Sequence, residues 1–237
     1  MTAEHVPVDD PEVLRHILAA TDALLLDFDG PVCAVFANLP AQHVADQLRR
    51  VLAEGGHKEL PAVVEKTEDP FDVLTYAATL GMDEARYIEA ALRAHEVEAA
   101  TTAPPTPGAH DLIHAWRTTG RKLAIVSNNS RAAVNTYLHR HDLTPLIHMV
   151  SARTQSDPEL LKPSPHLLDQ ATNVLNVQAS RCTLVGDSLT DLLAAQAARA
   201  RVIGYANKPG KADLFAAERP DAITTDMVSL ARAVHSA

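Results

Sequence analysis

Ala23-Leu24-Leu25-Leu26-Asp27-Phe28-Asp29-Gly30 is the stretch from which the rest of the chain is best read. Four apolar residues run without a polar break into an aspartate, and a second aspartate stands two residues further on. A run that is apolar on both alternating faces offers no side to water, so it suits a strand buried between two layers, as in a parallel sheet. Two later stretches repeat the pattern: Leu123-Ala124-Ile125-Val126 stops at Ser127, and Cys182-Thr183-Leu184-Val185 stops at Gly186-Asp187. Helical spacing follows both, with Val134, Tyr137 and Leu138 after the first and Leu192, Leu193 and Gln196 after the second. Weaker strands are expected at 201–205 and 222–224. Upstream, Asp10-Pro11 reads as an N-cap and first-turn pair opening a helix that carries Val13, Leu14, Ile17 and Leu18. Strand and helix alternate, which gives an α/β fold with a doubly wound parallel sheet.

The segment 34–103 breaks this rhythm, because it reads as helix throughout. Val44, Leu48, Val51 and Leu52 form one apolar stripe, ended by Gly55-Gly56. Asp69-Pro70 opens a second helix bearing Phe71 and Leu74, which closes at Gly81, and Ala85, Ile88 and Leu92 mark a third. The proline-dense stretch Thr101-Thr102-Ala103-Pro104-Pro105-Thr106-Pro107-Gly108 then leads back to the sheet as a stiff linker. The expected organisation is an α/β core domain made of 1–33 and 104–237, interrupted by an inserted α-helical domain at 34–103.

Composition narrows the function classes. The 237 residues are 46% hydrophobic and 22% charged, as in an ordinary globular protein. A net charge of −9 with no Lys/Arg run argues against a nucleic-acid partner, while leaving room for a small phosphate held by a few local donors. Two cysteines, Cys33 and Cys182, make neither a disulfide framework nor a metal cluster. No apolar run reaches membrane-spanning length and the acidic N-terminus lacks a signal core, so the expected location is cytoplasmic, with no membrane partner. In that setting the glycosylation pattern Asn128-Asn129-Ser130 is accidental.

Ligands of open α/β sheets bind beyond the carboxyl ends of the strands. Asp27, Ser127 and Asp187 are therefore expected to converge, with Asp29 and Asp191 bringing the carboxylates to four. Such a cluster repels itself unless a cation sits in it. Oxygen-only ligands favour a hard ion, Mg²⁺ before Ca²⁺ or Mn²⁺. A lone strand-end Asp is most often a helix cap; three strand ends of one sheet carrying Asp, Ser and Asp point to a site.

Taken in order, Asp27-Phe28-Asp29-Gly30, Ser127-Asn128, Lys162-Pro163 and Gly186-Asp187-Ser188-Leu189-Thr190-Asp191 resemble the four signature motifs of the haloacid dehalogenase superfamily. The resemblance runs from about residue 23 onward, and the overall pattern is similar to its phosphoglycolate-phosphatase-like members with a helical cap. It implies a Rossmann-like core, with 34–103 as the cap domain, and a Mg²⁺-dependent phosphatase acting on a small phosphorylated metabolite. By the same resemblance Asp27 is the nucleophile that forms an aspartyl-phosphate, and Asp29 is the general acid and base. Ser127 and the backbone N–H of Asn128, placed at a helix start, hold phosphate oxygens. Lys162 neutralises charge on Asp27 and the transferring group. Asp27, Asp187 and the backbone carbonyl of Asp29 bind Mg²⁺, with Asp191 as an outer ligand. Dehalogenases of the superfamily lack the second Asp, so Asp29 points to phosphorus as the centre attacked. The chain departs from the pattern at Pro31, where Thr or Val is usual; proline removes an N–H and fixes φ in the turn that delivers Asp29.

Other features weigh less. Cys33 reads as a packed residue, and Tyr76, Tyr87 and Phe71 as core of the insertion, with one of them able to face substrate. The 12 histidines read as surface residues, with His139-Arg140-His141 ending a helix. Gly204 to Gly210-Lys211 has the wrong spacing for a P-loop and is followed by Ala212. Two further function classes stay open: a phosphomutase of the same superfamily, and a non-enzymatic phospho-acceptor domain, which is about half this length and has no helical insertion.

Overall fold

The structure, a computed structural model, describes residues 6–235. Six parallel strands form one sheet among the described residues: β1 (Ala23–Leu26), β2 (Lys122–Ser130), β3 (Met149–Arg153), β4 (Cys182–Gly186), β5 (Arg201–Tyr205) and β6 (Ala222–Thr224). Their order is β3-β2-β1-β4-β5-β6, so the winding direction reverses between β1 and β4. That reversal leaves a crevice at the carboxyl ends of those two strands. Leu24 pairs with Leu123 on one side and Thr183 on the other, which brings Leu26 level with Ile125 and Val185.

Alternate residues of each central strand enter different hydrophobic layers. Leu24, Leu26, Leu123, Ile125, Val185 and Ile203 belong to one, while Ala23, Leu25, Ala124, Val126, Leu184 and Val202 belong to the other. The first layer is covered by α1 (Pro11–Ala19), α6 (Ala109–Thr118), α7 (Arg131–Arg140) and α11 (Met227–His235), the second by α8 (His166–Leu175), α9 (Leu189–Ala198) and α10 (Lys211–Ala217). The three β1 leucines are fully buried, each worth roughly 1.5–3 kcal/mol relative to exposure. Asp10 caps α1 as expected, its Oδ1 accepting from the N–H groups of Glu12 and Val13.

The insertion holds α2 (Ala41–Glu54), the short α3 (Ala62–Lys66), α4 (Pro70–Leu80) and α5 (Met82–Ala100), with no strand between residues 34 and 103. Asp69 caps α4 through the Phe71 N–H, with Pro70 at its first turn. Val44, Leu48, Leu74, Ile88 and Leu92 form a separate hydrophobic cluster, to which only Leu161 comes from outside the insertion. No helix among the described residues is long and apolar enough to cross a membrane.

Three expectations need correction. Tyr87 is 70% exposed and so is not core. β2 does not stop at Ser127 but continues to Ser130 through a register shift against β3, which pairs Ser127 with Ala152 and Ser130 with Arg153 and passes over Asn128 and Asn129. Asn128 accordingly lies three residues before α7, whose N-cap is Ser130, and not at a helix start.

Candidate active site

Asp27 follows β1 directly, and its N–H donates to the Val185 carbonyl of β4 at 2.9 Å. Asp29 follows in a turn closed by the Val32 and Cys33 N–H groups, both on the Phe28 carbonyl, and by the Gly30 N–H on the Cys33 carbonyl. Position 31 donates none of these bonds, so the turn loses none of them to Pro31. The Asp29 Oδ1 accepts from the Val35 N–H at 2.8 Å, which fixes the carboxyl. Asp27, Asp29, Ser127, Asn128, Lys162 and Asp187 all line one cleft of about 510 Å³. Cys33 beside it is fully buried, with its thiol pushed up by burial.

Lys162 is held at the centre by three acceptors. Its Nζ lies 2.7 Å from Asp27 Oδ1, 2.5 Å from Asp191 Oδ1 and 3.0 Å from the Val126 carbonyl. The Lys162 backbone is clamped by Asn128, which accepts its N–H at 2.8 Å and donates to its carbonyl at 3.1 Å. Asp191 is fully buried in the first turn of α9. Its second oxygen accepts from the Ser188 N–H at 3.0 Å and hydroxyl at 2.6 Å. Both Asp191 oxygens are thus engaged in holding Lys162 and capping α9. Gly186 is required beneath it, because a Cβ there would come within 2.3 Å of the Asp191 Cβ.

The electrostatics follow from burial. Desolvation pushes Asp27 up to about 8, helped by the Asp191 charge and opposed by Lys162. Burial opposes the Lys162 charge too, but Asp191 and Asp27 outweigh it and keep the ammonium protonated above its ordinary range. Asp29 is pushed up to about 6 by burial, against the Val35 N–H. A nucleophilic Asp27 must be ionised near neutrality, so this acidic centre calls for more positive charge than Lys162 brings.

The residues fit a cation. Carboxylate oxygens of Asp27, Asp187 and Asp191 lie within 4.8 Å of one another, an all-oxygen set suited to a small hard ion. The Asp29 side chain is not part of that group. Asp187 is held from behind: Oδ2 accepts from Lys211 Nζ at 2.7 Å and Asn207 Nδ2 at 2.9 Å, and its carbonyl accepts from Lys211 at 2.5 Å. In front, Gly30 leaves space that a Cβ would close, standing 2.4 Å from the Asp187 carboxyl carbon, and its φ of 110° disfavours other residues.

Several residues here escape sequence reading. Lys211 and Asn207 sit in the stretch dismissed as a failed P-loop, and its lysine instead holds Asp187. Arg153, at the end of β3, donates to the Asn128 carbonyl at 2.8 Å and pairs with Glu96 of α5. Glu96 in turn accepts from the Ser130 N–H at 2.9 Å and the Asn129 amide at 3.2 Å. These contacts stiffen the segment carrying Ser127 and Asn128. Phe71 of α4, read as core of the insertion, lines the cleft.

The acidic centre with its one buried lysine thus sits at the switch point of a doubly wound α/β sheet, where proteins of this class bind their ligands. The chain belongs to the haloacid dehalogenase-like hydrolase family, whose pattern it matches over residues 21–199. Among characterised relatives it is 36% identical over 114 residues to the plasmid-encoded phosphoglycolate phosphatase of Cupriavidus necator, covering 46% of this chain and 48% of that one. The chain spans no more than about half the length of the curated relatives it matches. Similar solved structures include a family hydrolase of Deinococcus radiodurans with bound phosphate and sodium, with a TM-score of 0.57 and 27% identity over 91% of this chain and 97% of that one. A predicted phosphatase of Clostridium acetobutylicum shares the fold with a TM-score of 0.69 at 13% identity, over 92% of this chain and 99% of that one.

Proposed function

We propose that the protein is a Mg²⁺-dependent phosphatase that hydrolyses a small-molecule phosphate monoester through an aspartyl-phosphate on Asp27. The observation that carries this reading is Lys162 Nζ, bound between Asp27 and Asp191 in a cleft that also holds Asp29, Ser127 and Asn128. The Asp27 carboxylate attacks phosphorus while Asp29 gives its proton to the leaving alcohol oxygen. Asp29 then takes a proton from the water that attacks the aspartyl-phosphate, and phosphate leaves. The Ser127 hydroxyl and the Asn128 N–H hold phosphate oxygens, and Lys162 balances charge on the transferring group. Asp27, Asp187 and the Asp29 backbone carbonyl would hold Mg²⁺, with Asp191 as an outer ligand, and the ion would supply the positive charge that a phosphate dianion needs beside these carboxylates. Segment 34–103 serves as a cap domain over the core formed by 1–33 and 104–237, and its α4 supplies the wall facing the catalytic groups.

The proton on Asp29, favoured by burial, suits a general acid. Phosphatase relatives such as the Cupriavidus necator protein agree with the reading. A phosphomutase would return the phosphoryl group to its substrate. A screen for phosphate release with Mg²⁺ over sugar phosphates, phosphoglycolate, nucleotides and amino-alcohol phosphates, with Asp27→Asn as control, separates the two. Release by the wild type alone supports the hydrolase; isomerised phosphoesters without release would replace it with the mutase.

A further inference from the structure

The cleft has two ends of unlike chemistry. Asp27, Lys162, Ser127 and Asn128 occupy the end that receives the phosphoryl group under the hydrolase reading, on which this inference rests. Another part of the lining comes from the first turns of α4 and the turn at 158–160, and it contributes three exposed carboxylates, Asp69, Asp72 and Glu159, together with Phe71. Asp69 is engaged by the Phe71 N–H at 2.8 Å and Asp72 by the Thr67 hydroxyl at 2.5 Å, bonds that fix both carboxylates without neutralising them. Lys162 is the one basic residue in the lining, and its charge is already shared by Asp27 and Asp191. Arg153 lies 5.5 Å from the Phe71 ring, but it is 3% exposed and paired with Glu96 and Glu89. A leaving group with a carboxylate or a second phosphate, seated against this part of the lining, would therefore meet three carboxylates and, among the described lining residues, no cation but the shared Lys162; Lys208 stands on the far side of Asp29 and Asp187, in the adjoining cleft.

We infer that the preferred substrate is a phosphate monoester whose leaving alcohol carries a protonated amine, seated against Asp69, Asp72, Glu159 and the face of Phe71. An ammonium group gains from each carboxylate, and it gains from an aromatic face when partly desolvated. Its charge also offsets the acidity of the site, which a dianionic leaving group would worsen. Polarity of this kind acts on specificity by rejecting the wrong charge as well as by attracting the right one.

Three matched esters test this: O-phosphoethanolamine, the phosphate monoester of ethylene glycol, and 2-phosphoglycolate. Each is turned over by the Mg²⁺-loaded enzyme, and its binding to Asp27→Asn protein is measured by calorimetry. The amine ester is expected to exceed the carboxylate ester by about tenfold or more in both kcat/KM and affinity, with the neutral ester between them. In the Asp69→Asn/Asp72→Asn variant, where Asn still caps α4, the amine-to-carboxylate ratio should fall about tenfold, mainly through KM; Glu159→Gln should lower it less. Comparing ratios between proteins cancels differences in leaving-group reactivity. Equal or better use of 2-phosphoglycolate, preference for the neutral ester, or a ratio unchanged in the variants would overturn the inference. If no ester, p-nitrophenyl phosphate included, releases phosphate, the hydrolase reading fails, and the order of affinities on Asp27→Asn still decides this one.

Discussion

Arg153 and Glu96 share an ion pair that solvent does not reach, with Nη2 2.7 Å from Oε2 and Nη1 3.0 Å from Oε1. It joins the end of β3 to the last helix of the insertion, and each partner also bonds the 128–130 backbone. Removing one partner strands a buried charge, which costs about 3–5 kcal/mol. Glu96→Gln and Arg153→Met should each lose that much in urea denaturation, roughly 6–20 °C in Tm for a chain of this size. Replacing both with apolar residues should cost less than either single change. Single variants as stable as wild type would show the pair to be neutral.

Gly30 carries a second stability and binding prediction. Gly30→Ala forces a Cβ onto a φ of 110° and into the Asp187 carboxylate. The strain should cost about 1–3 kcal/mol. Displacement of Asp187 should also shrink the rise in Tm that Mg²⁺ gives the wild type. A variant with an undiminished Mg²⁺-dependent rise would place the cation elsewhere.

Asp27 and Asp29, pushed up to about 8 and about 6, imply a pH dependence in the metal-free protein. From about pH 4 the unfolded chain has released these protons, whereas the folded one keeps that of Asp29 up to about pH 6 and that of Asp27 up to about pH 8. Unfolding stability therefore falls as pH rises through this window. Mg²⁺ takes the place of the protons, so its addition should flatten the slope and raise Tm most near pH 8. Thermal melts at several pH values, with EDTA or with Mg²⁺, measure this, and stability rising from pH 4 to 8 in EDTA would contradict it. Turnover should cease in EDTA and return with Mg²⁺ better than with Ca²⁺, whose looser coordination suits in-line attack poorly.

Asp29→Asn should separate the two chemical steps. Alkoxide leaving groups need a proton whereas nitrophenolate does not, so the loss should be about 10²–10⁴-fold greater on alkyl esters in the first step. With p-nitrophenyl phosphate a burst of nitrophenolate followed by slow turnover is expected, because water attack still lacks its base. Equal losses on both substrates and no burst would leave Asp29 a shaping role only.

How much of this was legible follows from what leaves a local trace. Leu24–Leu26 and Leu123–Val126 announced buried strands because burial on both faces removes polar residues from them, and Asp27, Ser127 and Asp187 were placed by where those runs stop. Asp69-Pro70 announced α4 because capping is local chemistry. β3 left no such trace: Met149-Val150-Ser151-Ala152-Arg153 is short and half polar, and Ser151 tolerates burial only because it bonds the Leu167 carbonyl and Gln170. Glu96 and Arg153 leave no local signal, since only tertiary docking buries them. Lys211 was unreadable for the same reason, as its partner Asp187 lies 24 residues away.

The most direct test of the account is to trap the phosphoryl group on the protein. Asp29→Asn enzyme mixed with p-nitrophenyl phosphate and Mg²⁺, then reduced with borohydride, should carry an acyl-phosphate converted to an alcohol at residue 27. Peptide mass spectrometry should find Asp27 reduced to homoserine only when substrate was present, and no such product in Asp27→Asn/Asp29→Asn protein. Reduction at another carboxylate, or an unmodified Asp27 in a sample that had shown its nitrophenolate burst, would contradict Asp27 as the nucleophile.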